Sequence, residues 1–486
     1  MAKDMTSLDN NTRDLLAASL SWADRFWDEA MGLLWSPGNI ADLDHPDASG
    51  SHTVRDSAWY ALGLLLRNAP GDTERAIRIV DTVLRYQFDE PGQPYHGTFY
   101  RTPEEPHPPL AAVEWQHYDP NWREFIMTTI DIILSEYEKR LPAPLLQKID
   151  AAMARAVEGA LARRLNAGYT NIALMNAYMM CFAGRRLGHP VWVEAGERMA
   201  REIYGLFERY HAFEEYNSPT YYGVDAYALA LWRAYEVSPV LRDLGSDMER
   251  LLWADIARYY HAELRNICGP WDRSYGMDMR RYVAVIGEWI WLITGKDRAP
   301  LPDLDRPFAH AHDFLFAPLV AILGAMVPAE ARAHFAAFQG ERAVEQVISD
   351  SPRRVATAWL SKTLMLGAEH TSGARWGSSQ FHPLTVHWRV GPDDVGWIRL
   401  RHREPVDVHA GANRLDVTGR GELIFQVSAA GARTEMIQPG LWRLPGLTAH
   451  ITTDAQAMVR SMEEYIEIRY PADAGRTVEM TLETEG

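Results

Sequence analysis

The sequence predicts a mainly α-helical protein with a C-terminal β domain: an (α/α)6 toroid over residues 1–339, then an antiparallel β-sandwich over residues 340–486. Three observations predict this. Apolar residues recur with helical period from the N-terminus to about Gln339. The helical segments alternate between apolar ones such as "YALALWRAY" and amphipathic ones such as "RAIRIVDTVLRY", as inner and outer helices of stacked hairpins do. Beyond Gly340 the period drops to two. At 486 residues the chain exceeds one ordinary core, so two domains are expected.

Taken in order, helices are expected near 8–35, 54–69, 72–88, 121–138, 142–165, 168–187, 190–211, 219–236, 240–265, 279–294, 308–326 and 328–338. Breakers such as "NAPGD", "RLPAP", "RLGHP", "YNSP" and "MVPAE" separate them. Six hairpins of this kind close a ring. No repeat of fixed length appears, which argues against solenoid families. The segment 88–121 is long enough to form a rim or lid and carries Tyr95, His96 and Tyr100. Strands follow in "RRVATAWLSKTLMLGAEH", "PLTVHWRV", "VGWIRLRHR", "VDVHAGANRLDVTG", "ELIFQVSAAG", "LTAHITTD", "EYIEIRYP" and "TVEMTLETEG". Strands in a row with no helix between them form an antiparallel sandwich.

Composition excludes several classes. The net charge of −16 argues against nucleic acid as a partner, because phosphate binding needs clustered Lys and Arg. Hydrophobic content of 47% and charged content of 23% are those of a folded globular chain. No uninterrupted apolar stretch is long enough to cross a membrane, and the start has no apolar signal core, so the expected location is cytoplasmic, or secreted or periplasmic if an export signal has been removed. The two cysteines, Cys181 and Cys268, have no CxxC spacing, which argues against a zinc knuckle or a redox pair. The 17 Trp and 21 Tyr either fill a large core or line a concave surface on which sugars stack.

Five polar clusters fall at expected helix mouths. In "EEYNSPTYYGVDAYALALW", Ser218 and Pro219 serve as N-cap and first helical residue, but capping leaves Glu215, Asn217, Tyr221, Tyr222 and Asp225 unexplained. "SHTVRDSAW" supplies His52, Arg55 and Asp56, of which Arg55 and Asp56 could also be a plain ion pair. "VEWQHYDPNWREF" brings His117, Asn121 and Arg123. Asn171 lies in an apolar helix, where a buried amide needs partners on a neighbouring helix or in a cavity. "GPWDRSYGMDMRRY" contributes Trp271, Asp272, Tyr275 and Arg280, with two adjacent arginines able to grip a carboxylate or to pair with the nearby aspartates. His310 and His312 in "FAHAHDF" are by themselves a weak metal signal, expected to be structural or at the surface. There is no HExxH, P-loop or GxSxG motif.

With "EEYNSPTYYGV", "DRSYGMDMRRY" and, in the β part, "ATAWLSKTLMLGAEHTSGARWGSSQFHP", the chain resembles the toroid-plus-sandwich polysaccharide lyases of the chondroitin AC lyase-like and heparinase II/III-like families. That resemblance implies β-elimination on a uronic-acid residue of a polysaccharide or oligosaccharide, with no cofactor and no obligatory metal. An amide or arginine neutralises the carboxylate beside C5. A tyrosine, often with a histidine, removes the C5 proton and protonates the leaving oxygen at C4. On that pattern Asn217 would neutralise the carboxylate, and Tyr221 or Tyr222 would be base and acid. His52 or His117 would assist, and Arg280 would clamp the anion.

The acidic groups keep a glycoside hydrolase in play, with a carboxylate pair drawn from Asp56, Glu215, Asp225 and Asp272. A dehydratase or isomerase of a small hydrophobic alcohol is a third reading, suggested by Cys181 and the Met-rich run around it. A non-catalytic carbohydrate-binding protein is the fourth, and it leaves the ionisable groups at the helix mouths without a purpose.

Overall fold

The computed structural model describes residues 3–36, 50–306, 308–371, 379–402 and 404–484. The sequence suggests Trp376, Gln380 or His382 as the residue by which the β part reaches a cleft, and of these Trp376 lies outside the described residues. The helices are α1 (Asn10–Asp24), α2 (Val54–Arg67), α3 (Asp72–Arg85), α4 (Trp122–Tyr137), α5 (Ala143–Arg163) and α6 (Thr170–Leu187). They continue with α7 (Pro190–Phe207), α8 (Tyr222–Tyr235), α9 (Pro239–Tyr259), α10 (Val285–Thr294), α11 (Ala317–Leu323) and α12 (Ala329–Ala336).

Two compact units emerge, and neither is a single stretch of chain. The first holds Met1–Leu206, Tyr222–Arg250 and Tyr282–Met326; the second holds Phe207–Tyr221, Leu251–Arg281 and Val327–Gly486. Strands replace helices near residue 340, where the sequence places its domain boundary, but 207–221 and 251–281 belong to the unit of the β region.

In the first unit α1, α2, α4, α6, α8 and α10 each touch the next, and α10 returns to α1, so six helices close an inner ring. Their sequences explain the position: α2 and α8 are buried on nearly every face, Asp56 and Asp225 included. The outer helix α3 buries one stripe, Ala76, Ile79, Val80, Val83 and Leu84. It lies on α2, and α5 lies on α4 and α6. α11 packs against α1, α2, α8 and α10. Gly223 opens α8 where its backbone meets α10: a Cβ there would stand 2.3 Å from the Ile286 nitrogen. The 88–121 segment carries its own small core of Phe88, Tyr95 and Tyr118.

The helix expected over 8–35 stops at Asp24. The Asp28 carboxylate accepts the Ala30 and Met31 N–H groups, fixing a turn, and Gly32 has a positive φ of 70°. The chain instead forms a small antiparallel sheet from β1 (Trp27–Asp28), β2 (Leu33–Ser36) and β3 (Ser51–Thr53).

In the second unit β4 (Tyr260–His261) pairs with β5 (Asn266–Ile267). Twelve strands then make one antiparallel sheet. They are β6 (Arg342–Asp350), β7 (Arg353–Leu360), β8 (Leu364–His370), β9 (Leu384–Arg389), β10 (Val395–His402) and β11 (Val406–Gly411). The others are β12 (Arg414–Ser428), β13 (Ile437–Gln438), β14 (Leu441–Leu444), β15 (Leu447–Thr452), β16 (Met458–Ser461) and β17 (Ile466–Thr484). The order is β13-β14-β15-β17-β12-β10-β9-β8-β7-β6, with β11 joining β12 to β8 and β16 on β17. The long pair β12–β17 shifts register around Gly421, and such irregularities bend a strand. The folded sheet encloses a core that includes Leu366, Val386, Ile398, Val417, Phe425 and Ile468.

Candidate functional site

Within the second unit three chain segments converge. Residues 271–274 run beside 380–382: Trp271 and His382 exchange backbone hydrogen bonds at 3.1 and 2.9 Å, and Ser274 N–H donates to the Gln380 carbonyl. On the other side, Asp272 N–H donates to the Tyr216 carbonyl, and the Ser218 hydroxyl donates to the Arg273 carbonyl at 2.5 Å. Gly367 permits the close stacking underneath, since a Cβ there would lie 2.1 Å from the Gly269 carbonyl carbon.

This scaffold holds Arg273 with its guanidinium shared three ways. Nη1 donates to Glu215 Oε1 at 2.7 Å, Nη2 to the Tyr221 hydroxyl at 2.7 Å, and Nε to Gln380 Oε1 at 2.9 Å. The same cation stands 3.9 Å from the centroid of the Tyr221 ring. The hydroxyls of Tyr221 and Tyr275 are 2.5 Å apart. Glu215 is buried, whereas Arg273, Tyr221, Tyr275 and Gln380 are partly exposed. Burial and the neighbouring Tyr275 push the Tyr221 pKa well up, against the pull of Arg273. At neutral pH Tyr221 is therefore a phenol with a proton to give, next to a cation that favours its phenolate.

Behind this group lies a buried ionic anchor. Arg354 donates to Asp272 Oδ1 at 2.5 Å and to Glu369 Oε1 at 2.7 Å, and Asp272 Oδ2 accepts the Tyr216 N–H. Two buried histidines flank Trp271. Desolvation lowers the His387 pKa to about 4 and that of His382 well below the usual range.

Several sequence expectations are corrected by this geometry. Asn217 has φ of 47°, and its amide nitrogen donates to the Cys268 and Pro270 carbonyls at 2.8 and 2.9 Å. Its N–H groups are spent on holding the loop, so it has none for a substrate carboxylate. Trp271 is fully buried between the two histidines and offers no face to a sugar. Asp272 is an anchor with both oxygens engaged. Arg280 forms a two-point pair with both oxygens of Asp278 and donates to the Asp393 carbonyl.

The remaining candidates lie in the first unit, in separate groups. His52 sits between Glu104 at 2.7 Å and Asp28 at 3.2 Å; burial alone would lower its pKa, but the two carboxylates raise it. Arg55 pairs with Asp56 at 3.0 Å and stacks over Trp59. His117 accepts the Val113 N–H, so its ring serves its own turn. Asn121 donates to Tyr169 and accepts from Arg163, a structural bridge. Arg123 is fully buried, and burial lowers its pKa. Asn171, Tyr222 and Asp225 are buried in the ring helices α6 and α8. The sequence places Arg273 in the same cluster as Arg280, but the resemblance gives the anion clamp to Arg280. The available signal was its place in "WDRSY", where alternation puts Arg273 and Tyr275 on one side of an extended segment.

Among solved structures the chain is similar to heparinase III (8% identity, TM-score 0.46, covering 98% of this chain and 85% of that one). It is also similar to the chondroitin AC lyase of Streptomyces coelicolor A3 in complex with chondroitin sulphate (10%, 0.48, 97% and 79%). An α-L-rhamnosidase of Streptomyces avermitilis is more distant (11%, 0.32, 97% and 42%). At these scores the likenesses carry no functional argument. A search of curated proteins finds no match. Residues 339–466 match the family described as Domain of unknown function (DUF8770). Residues 13–325, more than half of the chain, match the family described as Domain of unknown function (DUF8769), and the chain belongs to that family.

Proposed function

We propose that this protein is a carbohydrate-active enzyme, a lyase that cleaves a uronate-containing polysaccharide or oligosaccharide by β-elimination. The observation that carries the reading is the Arg273–Tyr221–Tyr275 group: a cation, a phenol it can ionise, and a second phenol in hydrogen-bond contact. Elimination needs these functions. The guanidinium takes the carboxylate of the uronate and stabilises the enediolate that forms when C5 loses its proton. Tyr221, as phenolate, accepts that proton. The electron pair forms the C4–C5 double bond, the C4–O bond breaks, and the leaving oxygen takes a proton back from Tyr221. Glu215 and Gln380 hold Arg273 in place.

Asn217 has no part in this scheme. Nor do His52 and His117, each of which is engaged by neighbours in its own turn or ion pair. A hydrolase drawing on the same carboxylates would need a pair, but Glu215 is bound by Arg273 and Asp272 by Arg354 and the Tyr216 N–H.

The test is ultraviolet absorbance of the conjugated product on a panel of uronate polysaccharides, for wild type, Tyr221→Phe and Arg273→Ala. The reading expects a rise with wild type that both substitutions abolish. New reducing ends without absorbance would sink it in favour of hydrolysis.

A further inference from the structure

A second group of chemically active side chains lies in the first unit, unconnected to the proposed elimination. The chain turns at His310, which has a φ of 53°, and enters a 3-10 turn over Ala311–Phe316. This turn brings His310, His312 and Asp313 together, with one ligand atom from each within 4.8 Å of the others. The Asp313 carboxylate is 3.3 Å from His312 Nε2 and 3.8 Å from His310 Nδ1. Donors at ~2.1 Å from a tetrahedral ion would stand about 3.4 Å apart, so closure by roughly an ångström completes the set.

An independent observation points to the same place. Glu288 of α10 is fully buried, neither of its carboxylate oxygens has a hydrogen-bond partner, and Asp313 is the charged neighbour that acts on it. A buried carboxylate without donors is costly. The nearby cation, Arg55, is 3.8 Å from Asp313 but is committed at 3.0 Å to Asp56. Two carboxylates, Asp56 and Asp313, thus share one guanidinium, and the imidazoles of His310 and His312 stand beside Asp313. His312 and Asp56 also line a small cavity walled by Trp22, Phe26 and Leu315.

We propose that His310, His312 and Asp313 bind one divalent transition-metal ion of the zinc class, with the buried Glu288 as the neighbour of Asp313. Two imidazoles and a carboxylate select a borderline ion over magnesium or calcium, which prefer all-oxygen sites. This revises the expectation that the His310–His312 pair is structural.

The test uses the full chain without a histidine tag. Zinc content is measured after purification, Zn2+ binding by calorimetry, and Co2+ binding by its visible absorption, with Mg2+ and Ca2+ as controls. Wild type is expected to bind one Zn2+ or Co2+ per chain, with the intense visible bands of low-coordinate cobalt. His312→Ala, at a partly exposed position, is expected to weaken binding at least tenfold with unchanged circular dichroism. Absence of binding by wild type, equal binding by His312→Ala, or a weak octahedral cobalt spectrum from wild type would each overturn the proposal. The cobalt spectrum decides even if the variant does not fold.

Discussion

Arg273 and Arg354 sit 2.7 Å and 2.5 Å from their carboxylate partners but have different tasks. Arg354 is nearly inaccessible and shared by two buried acids, so removing it strands Asp272 and Glu369. Arg354→Met is expected to cost about 3–5 kcal/mol, read by urea denaturation. Arg273 is partly exposed but pairs with the buried Glu215, so its removal should cost about 1–3 kcal/mol of stability while kcat falls by about a hundred- to a thousandfold. Tyr221→Phe should lower kcat by about a hundred- to ten-thousandfold, since in the proposed elimination one hydroxyl serves as base and acid. Because burial and Tyr275 hold the Tyr221 pKa above its ordinary value, the phenolate fraction grows with pH. The kcat/KM of the elimination should therefore still be rising above pH 7, and a flat alkaline profile would remove Tyr221 as the base.

The loop carrying residues 214–221 is an element whose shape depends on Asn217. Its left-handed backbone and its two bonds to the Cys268 and Pro270 carbonyls set the path that brings Glu215 and Tyr221 to Arg273. Asn217→Ala loses both bonds and keeps a Cβ at positive φ without the amide that eases that conformation, whereas Asn217→Gly loses the same bonds but adopts positive φ freely. Alanine is expected to lower stability by about 1 kcal/mol more than glycine does, as read by thermal unfolding. This element also shows the limits of sequence pattern. Ser218 and Pro219, expected as N-cap and first helical residue, instead open a turn: α8 begins only at Tyr222, and Ser218 accepts the Tyr221 N–H within that turn. The partners of Asn217 lie 51 and 53 residues away, and no local pattern reports them.

For the whole molecule, the discontinuous units make the chain order a poor guide to where it can be cut. A fragment of residues 340–486 would lack 207–221 and 251–281, and with them Asp272 and the loop that meets Gly367. Such a fragment is expected to be insoluble or to lack dispersed amide resonances in its NMR spectrum. Acid should also act through the second unit. His261 and His387 are buried, and desolvation lowers both pKa values to about 4. Between the ordinary histidine pKa near 6.5 and about 4 the unfolded chain takes up protons that the folded chain does not, so stability falls as pH falls through that window. The loss is roughly 3 kcal/mol per histidine, and His387→Gln should flatten the dependence of the unfolding midpoint on pH between those limits.

The sequence by itself determined the class of each half, because periods of 3.6 and 2 are written in neighbouring residues and burial follows them. It also determined that "EEYNSPTYYGV" and "WDRSY" carry more polar groups than capping needs. Tertiary structure alone decided which of those groups are free to act. Asn217, Trp271, Asp272 and Arg280 look like site residues in one dimension, yet each is consumed by partners in its own unit. Arg273 looks like one charge among several, yet it meets Glu215, Tyr221 and Gln380 from two other stretches of chain. The physical reason is that a side chain's chemistry is set by what satisfies its hydrogen bonds, and in a fold with pairings this distant in sequence those partners are fixed only when the chain closes on itself.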